Sequence, residues 1–149
     1  KSQPSRSKKD KLTSLKNARI AFKNKKYSLI AASLQALLKK NKRKSTRLEL
    51  YYILAESNFK LGKLRDAALN FNEFLETGAK GELVPFAKMR LGDCFRLLGE
   101  TATAKLYYEE VVKEFPTSND AKTSKKRLAS LKKRSANTRS RPGTGRNRG

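Results

Sequence analysis

Apolar residues recur along this chain at helical spacing, in short blocks separated by polar breaks that carry glycine, proline or runs of charge. The first block starts near Leu12 and carries Leu15, Ala18 and Phe22 before Asn24-Lys25-Lys26 interrupts it. Tyr27 opens a second with Ile30, Leu34, Leu37 and Leu38, which runs out in the charged stretch from Lys39 to Lys44. Ser45 or Thr46 is placed to cap a third helix, with Glu49 in its first turn and Tyr51, Leu54, Ala55, Asn58 and Phe59 along it up to Gly62. A fourth carries Leu64, Ala67, Phe71, Phe74 and Leu75 and stops at Thr77-Gly78. Leu83 and Pro85 open a fifth, proline being tolerated in a helix's first turn. From Leu91 to Pro116 the pattern is clearest: Leu91, Gly92, Phe95, Gly99, Ala104, Tyr108, Val111 and Val112 predict two helices around a tight turn, closed by a proline that forbids continuation. Ser118 caps a last helix whose apolar content is thin, namely Ala121, Leu128, Ala129 and Leu131.

These blocks repeat. The turn after each first helix falls at Lys25, Gly62 and Gly99, a constant spacing of 37 residues. In that register Ala18, Ala55 and Gly92 align as the small contact residue of the first helix. Ile30, Ala67 and Ala104 align at the crossing in the second, followed by Leu34, Phe71 and Tyr108 and then by Leu37, Phe74 and Val111. Three copies of one helical hairpin at a fixed period predict an all-α solenoid, each unit burying its face against the next, with the final helix as a cap. The expected domain spans residues 11–134, with repeats at about 11–44, 46–79 and 83–116 and a capping helix over 118–134. Residues 1–10 read as a disordered basic lead-in and 135–149 as a flexible basic tail.

The spacing of Leu91, Gly92, Phe95, Gly99, Ala104, Tyr108 and Pro116 resembles the tetratricopeptide repeat family. The likeness covers most of residues 12–133, strongest in the third unit and most degenerate in the first, where Lys25 stands at the turn glycine and Ile30 at the small crossing residue. The three extra residues per unit, with Phe115-Pro116-Thr117-Ser118 and Ala121, are similar to a bacterial cell-envelope subgroup: the Tol-Pal coordinator family's carboxy-terminal domain and the lipoprotein subunit of the outer-membrane β-barrel assembly machinery. The resemblance implies a concave groove lined by the first helix of each unit. Carried over residue by residue, that groove holds Leu15, Arg19, Phe22 and Lys23; then Glu49, Tyr52, Glu56, Phe59 and Lys60; then Phe86, Met89, Asp93, Arg96 and Leu97. Aromatic anchors beside charges suit an extended or helical peptide. The same side chains can instead pack between units; Phe22 and Phe59 divide evenly between the two roles, whereas Tyr52 and Phe86 are assigned to the groove. The family's clamp for a terminal carboxylate is absent, because Leu15, Arg19, Ile53 and Phe86 occupy its positions.

Charge changes this picture at the ends. Residues 1–47 carry 16 Lys and Arg against 1 acid, residues 48–120 carry 9 against 12, and residues 121–149 carry 11 against none, within a net charge of +23. One cluster comprises Lys39, Lys40, Lys42, Arg43, Lys44 and Arg47. The other comprises Lys125, Lys126, Arg127, Lys132, Lys133 and Arg134, continued by Arg139, Arg141, Arg146 and Arg148. Either these are solvated faces, or they are footprints for an anionic surface, an acidic subunit or a nucleic-acid backbone. With no aromatic residue beyond Phe115, base stacking has little to rest on.

Enzyme chemistry fits poorly. The chain has no histidine, its adjacent Glu109 and Glu110 diverge on one helix, and no phosphate-cradling glycine loop precedes a helix. No cofactor or metal site is expected, and the single cysteine, Cys94, sits in an apolar helical pattern as a packing thiol. No apolar run reaches the length of a membrane span. The chain opens on Lys1 rather than Met, which predicts a removed upstream segment. The expectation is therefore a non-enzymatic adaptor that holds a protein partner in its groove. The resemblance places it in a bacterial envelope or periplasm, with the cytoplasm as the alternative location and a nucleic-acid-associated protein as the alternative function.

Overall fold

The computed structural model describes residues 12–140, so the expected lead-in and Arg141, Arg146 and Arg148 lie outside the described residues. Seven helices follow one another: α1 (Leu15–Lys23), α2 (Tyr27–Lys40), α3 (Lys44–Lys60), α4 (Leu64–Glu76), α5 (Leu83–Leu97), α6 (Thr101–Glu114) and α7 (Asn119–Arg139). No strand occurs among the described residues. Each helix packs on its neighbours in the chain, while α1 also reaches α3 and α5 reaches α7. The result is an all-α solenoid of three stacked hairpins closed by α7.

Identical turns build the hairpins. Lys25, Gly62 and Gly99 all take positive φ, at 55°, 74° and 83°. The following amide then reaches back five residues: Lys26 to the carbonyl of Ala21 at 2.9 Å, Lys63 to Asn58 at 2.9 Å and Glu100 to Phe95 at 2.8 Å. This is the glycine-type helix stop, used three times to turn the chain within three residues. Lys25 is the one non-glycine residue among those described that adopts the left-handed conformation.

Packing follows the 37-residue register. All twelve aligned positions, from Ala18, Ala55 and Gly92 through to Leu37, Phe74 and Val111, are buried. The closest approach lies at Gly92, where a Cβ would sit 2.6 Å from Cε1 of Tyr108. A large ring on α6 is thus matched by an absent side chain on α5. The apolar interior divides into three clusters, one centred on α1, α2 and α3, one on α3, α4 and α5, and one on α5, α6 and α7. Each straddles a junction, as expected where a unit cannot bury its face alone.

Three boundaries differ from expectation. Ser14 caps α1, its hydroxyl accepting from the amide of Asn17, so the helix starts three residues after Leu12. Ser45 and Thr46 lie inside α3, which begins at Lys44 without a side-chain cap. Arg47 supplies what the connection needs instead: its guanidinium donates to the carbonyls of Leu38 at 2.8 Å and Asn41 at 3.2 Å, ending α2 and fixing the entry to α3. Finally, α7 continues to Arg139, five residues past the expected end at Arg134. The sequence offers no glycine or proline until Pro142, and the hydroxyls of Ser135, Thr138 and Ser140 bond back to carbonyls one turn earlier.

The extension has a second aspect. Ser124, Leu128 and Leu131 stand 37 residues after Ala87, Leu91 and Cys94, and they point into the third cluster in the same way. The cap is therefore a fourth first helix laid on α5 and α6. Ser124 occupies a position filled by Leu50 and Ala87 in earlier units, and its buried hydroxyl has no hydrogen-bond partner among the described residues.

Candidate partner-binding groove

First helices α1, α3 and α5 bring one aromatic from each unit into a row. Phe22 meets Tyr52 edge-on with centroids 6.4 Å apart, and Tyr52 meets Phe86 at 6.1 Å. All three rings are half-buried. Tyr52 also leans on Phe74 of the second-unit core at 5.9 Å, which anchors the row to the solenoid. Burial, and then the charge of Glu56, push the Tyr52 hydroxyl above its ordinary range, so it stays a neutral donor at any physiological pH. Phe59 is half-buried as well, beneath the guanidinium of Arg90, which lies 4.4 Å from its ring centre and 5.1 Å from that of Phe86.

The charges proposed for the groove differ in exposure. Glu56 and Asp93 are buried, their side chains 7% and 2% exposed. Arg90 donates to Glu56 at 2.9 Å. Asp93 accepts from the Tyr108 hydroxyl at 2.6 Å and is ringed by Arg90 at 3.6 Å, Arg96 at 3.6 Å and Arg127 at 3.3 Å. At the first unit, Arg19 grips Glu49 with both Nε and Nη2, and that hydrogen bonding, followed by Coulomb attraction, holds the guanidinium in its charged form. Lys23 and Lys60 are exposed and have no ion-pair partner among the described residues.

The structure therefore sorts the groove residues. Arg19, Phe22, Lys23, Glu49, Tyr52, Phe59, Lys60, Phe86 and Arg96 reach the surface, as do the partly or fully exposed Leu15 and Leu97. Glu56, Met89 and Asp93 do not. Met89 is 7% exposed and belongs to the third cluster, because α7 covers the face that an open third unit would present. Glu56 and Asp93 lie under arginines. Arg90 and Arg127 were missed as groove residues, although a signal existed. They share one register position, Glu56 and Asp93 share another, and each arginine meets the acid 34 residues before it.

Of the basic clusters, Lys39, Lys40, Lys42, Arg43 and Lys44 are exposed, as are Lys125, Lys126, Lys132, Lys133, Arg134 and Arg139. Arg47 and Arg127 are half-buried and engaged, Arg47 with helix-end carbonyls and the Tyr51 hydroxyl, Arg127 with Asp93. From Lys132 to Arg139 every residue of α7 is exposed.

A separate concavity lies elsewhere. About 750 Å³ opens between the start of α5, the end of α6 and the start of α7, bounded by Glu82, Glu114, Asp120, Pro85 and Pro116. It presents carboxylates without a nucleophile or base of suitable geometry, and no His, Cys, Asp or Glu group among the described residues converges as a metal site. Cys94 is fully buried, and burial followed by the charge of Asp93 pushes its thiol up to about 12, which makes it inert as a nucleophile.

Stacked hairpins with aromatic and charged side chains along α1, α3 and α5 define a helical scaffold, a fold suited to gripping another protein. Residues 86–118, from α5 through α6 to the Ser118 cap, match the family model described as Tetratricopeptide repeat. The chain is thus a helical domain containing a tetratricopeptide repeat. No curated protein matches it.

Proposed function

We propose that the domain is an adaptor that holds a segment of a protein partner in the groove of α1, α3 and α5. The observation that supports this reading best is the row Phe22, Tyr52 and Phe86. Half-exposed aromatic rings fixed by the core offer large contact area at small entropic cost, the usual anatomy of a binding hot spot. The process we favour is a bacterial envelope assembly, which rests on the likeness of the repeat and its Phe115-Pro116-Thr117-Ser118 ending to that subgroup. Fractionation of cells expressing the tagged natural protein tests this placement: recovery in the cytoplasm overturns it. The groove is tested by pull-down of cellular partners with Tyr52→Ala/Phe86→Ala, with helicity followed by circular dichroism. Partners lost at unchanged helicity support the groove, and full retention sinks it.

A second reading is favoured by the outer surface of α7, where Lys125, Lys126, Lys132, Lys133, Arg134 and Arg139 are exposed and no acid follows Asp120. Such a face can contact phosphates through charge alone. Replacing Lys125, Lys126, Lys132 and Lys133 by Gln and measuring retention of duplex DNA and RNA tests it. Loss of nucleic acid with partner pull-down intact favours this reading over the first.

A further inference from the structure

We infer that the segment held in the groove is acidic, with carboxylate side chains seated beside Arg96 and Arg127 and an apolar side chain on the Phe22, Tyr52 and Phe86 row. This rests on the groove reading above and assigns the chemistry of its occupant. The argument is one of which charge faces outward. The sequence gives the groove charges of both signs, so by count alone it would select nothing in particular. Folding buries two of the three acids: the side chains of Glu56 and Asp93 are 7% and 2% exposed, against 21% for Arg96 and 43% for Arg127. Glu49, the third, is clasped by Arg19 through two hydrogen bonds. Arg90, Arg96 and Arg127 share Asp93, and Arg90 alone also reaches Glu56, so two carboxylates stand against three guanidiniums. Lys23 and Lys60 add two exposed ammonium groups with no ion-pair partner among the described residues.

An incoming segment thus meets guanidinium and ammonium groups, with Glu56 and Asp93 beneath them and Glu49, 36% exposed, already paired with Arg19. Guanidinium groups already oriented by a buried carboxylate bind a second carboxylate with little further ordering, and their planar forks favour oxygen pairs. The chemistry differs from capture of a chain terminus, since Leu15, Arg19, Ile53 and Phe86 do not form a terminal clamp. It calls for internal Asp or Glu side chains.

The test uses the full chain and a random dodecapeptide library displayed with both ends fused or blocked. Groove-dependent clones are those lost on Tyr52→Ala/Phe86→Ala. These clones should be rich in Asp and Glu around an aromatic or aliphatic residue. Amidated synthetic copies should lose about tenfold or more in affinity when their acids become Asn and Gln, or when the protein carries Arg96→Gln/Arg127→Gln. Lys23→Gln/Lys60→Gln, at exposed positions that do not support folding, should weaken the same peptides, whereas Lys132→Gln/Lys133→Gln should leave them unchanged. Groove-dependent clones that are neutral or basic, or that ignore both groove-charge variants, overturn the inference while leaving the groove intact. Absence of any groove-dependent clone overturns the groove reading and this inference with it.

Discussion

Lys25 shows how far one residue can depart from its repeat while the backbone does not. It adopts the left-handed conformation that Gly62 and Gly99 take in the other units, with the same return hydrogen bonds. A side chain at positive φ crowds the backbone, and glycine does not. Lys25→Gly should therefore stabilise the domain by about 0.5–1 kcal/mol, net of the entropy glycine loses on folding, and thermal denaturation will show a raised melting temperature. Gly92 is the opposite case. A methyl group there would meet the Tyr108 ring at 2.6 Å, on a side chain held at its far end by Asp93. Gly92→Ala should cost about 1–3 kcal/mol, and a Tyr108→Leu background should recover part of the loss; an unchanged melting temperature for Gly92→Ala would contradict the packing. Both positions were readable before the fold, because turn and small residues recur every 37 positions.

Elements end for reasons that sequence conveys unevenly. The first-to-second helix turns are local, made within six residues, and glycine announces them. The α2 to α3 connection is settled by Arg47, reaching back nine residues to the carbonyl of Leu38 and stacking near Tyr51. Nothing in the run of cations from Lys39 to Arg47 distinguishes the one that folds inward from those that stay in water. Arg47→Met keeps the stem but removes the charge-assisted bonds to two carbonyls. It should cost about 1–2 kcal/mol, read as a lower denaturant midpoint, whereas Lys42→Met, exposed and uninvolved, should not. The length of α7 is similarly under-determined. Its polar last turns have no breaker and no core, so composition suggested a tail where backbone hydrogen bonds continue the helix.

For the whole molecule, the third unit joins packing and charge in one place. Cys94 and Tyr108 are fully buried beside Asp93, and burial raises both above their ordinary ranges, the thiol from 9.0 to about 12. Both groups are neutral when protonated, so the folded state holds protons that the unfolded chain releases. Their contribution is fully present below about pH 9 and is lost as pH rises toward 12. Urea midpoints should therefore be level from pH 7 to 9 and fall progressively above it. Cys94 should stay unreactive to a disulfide reagent at pH 8 until denaturant is added; rapid labelling of the native protein would show that the α5 to α6 seam opens. The same seam supports the groove, since the hydroxyl of Tyr108 helps hold Asp93 beneath Arg96 and Arg127.

The sequence by itself determined the repeat, the hairpins, the turns and most core positions, though not Leu50, Ile53, Ala87 or Met89. These depend on local spacing and on the size of side chains that recur in phase, and a helix displays both in its periodicity. Only the tertiary structure decided which charges reach solvent, because that depends on contacts between units: Arg90 and Arg127 each close over an acid 34 residues earlier, and α7 covers Met89. Arginine and glutamate look equally polar along a chain. Packing α7 against the last unit buries Asp93 and leaves Arg127 partly outside.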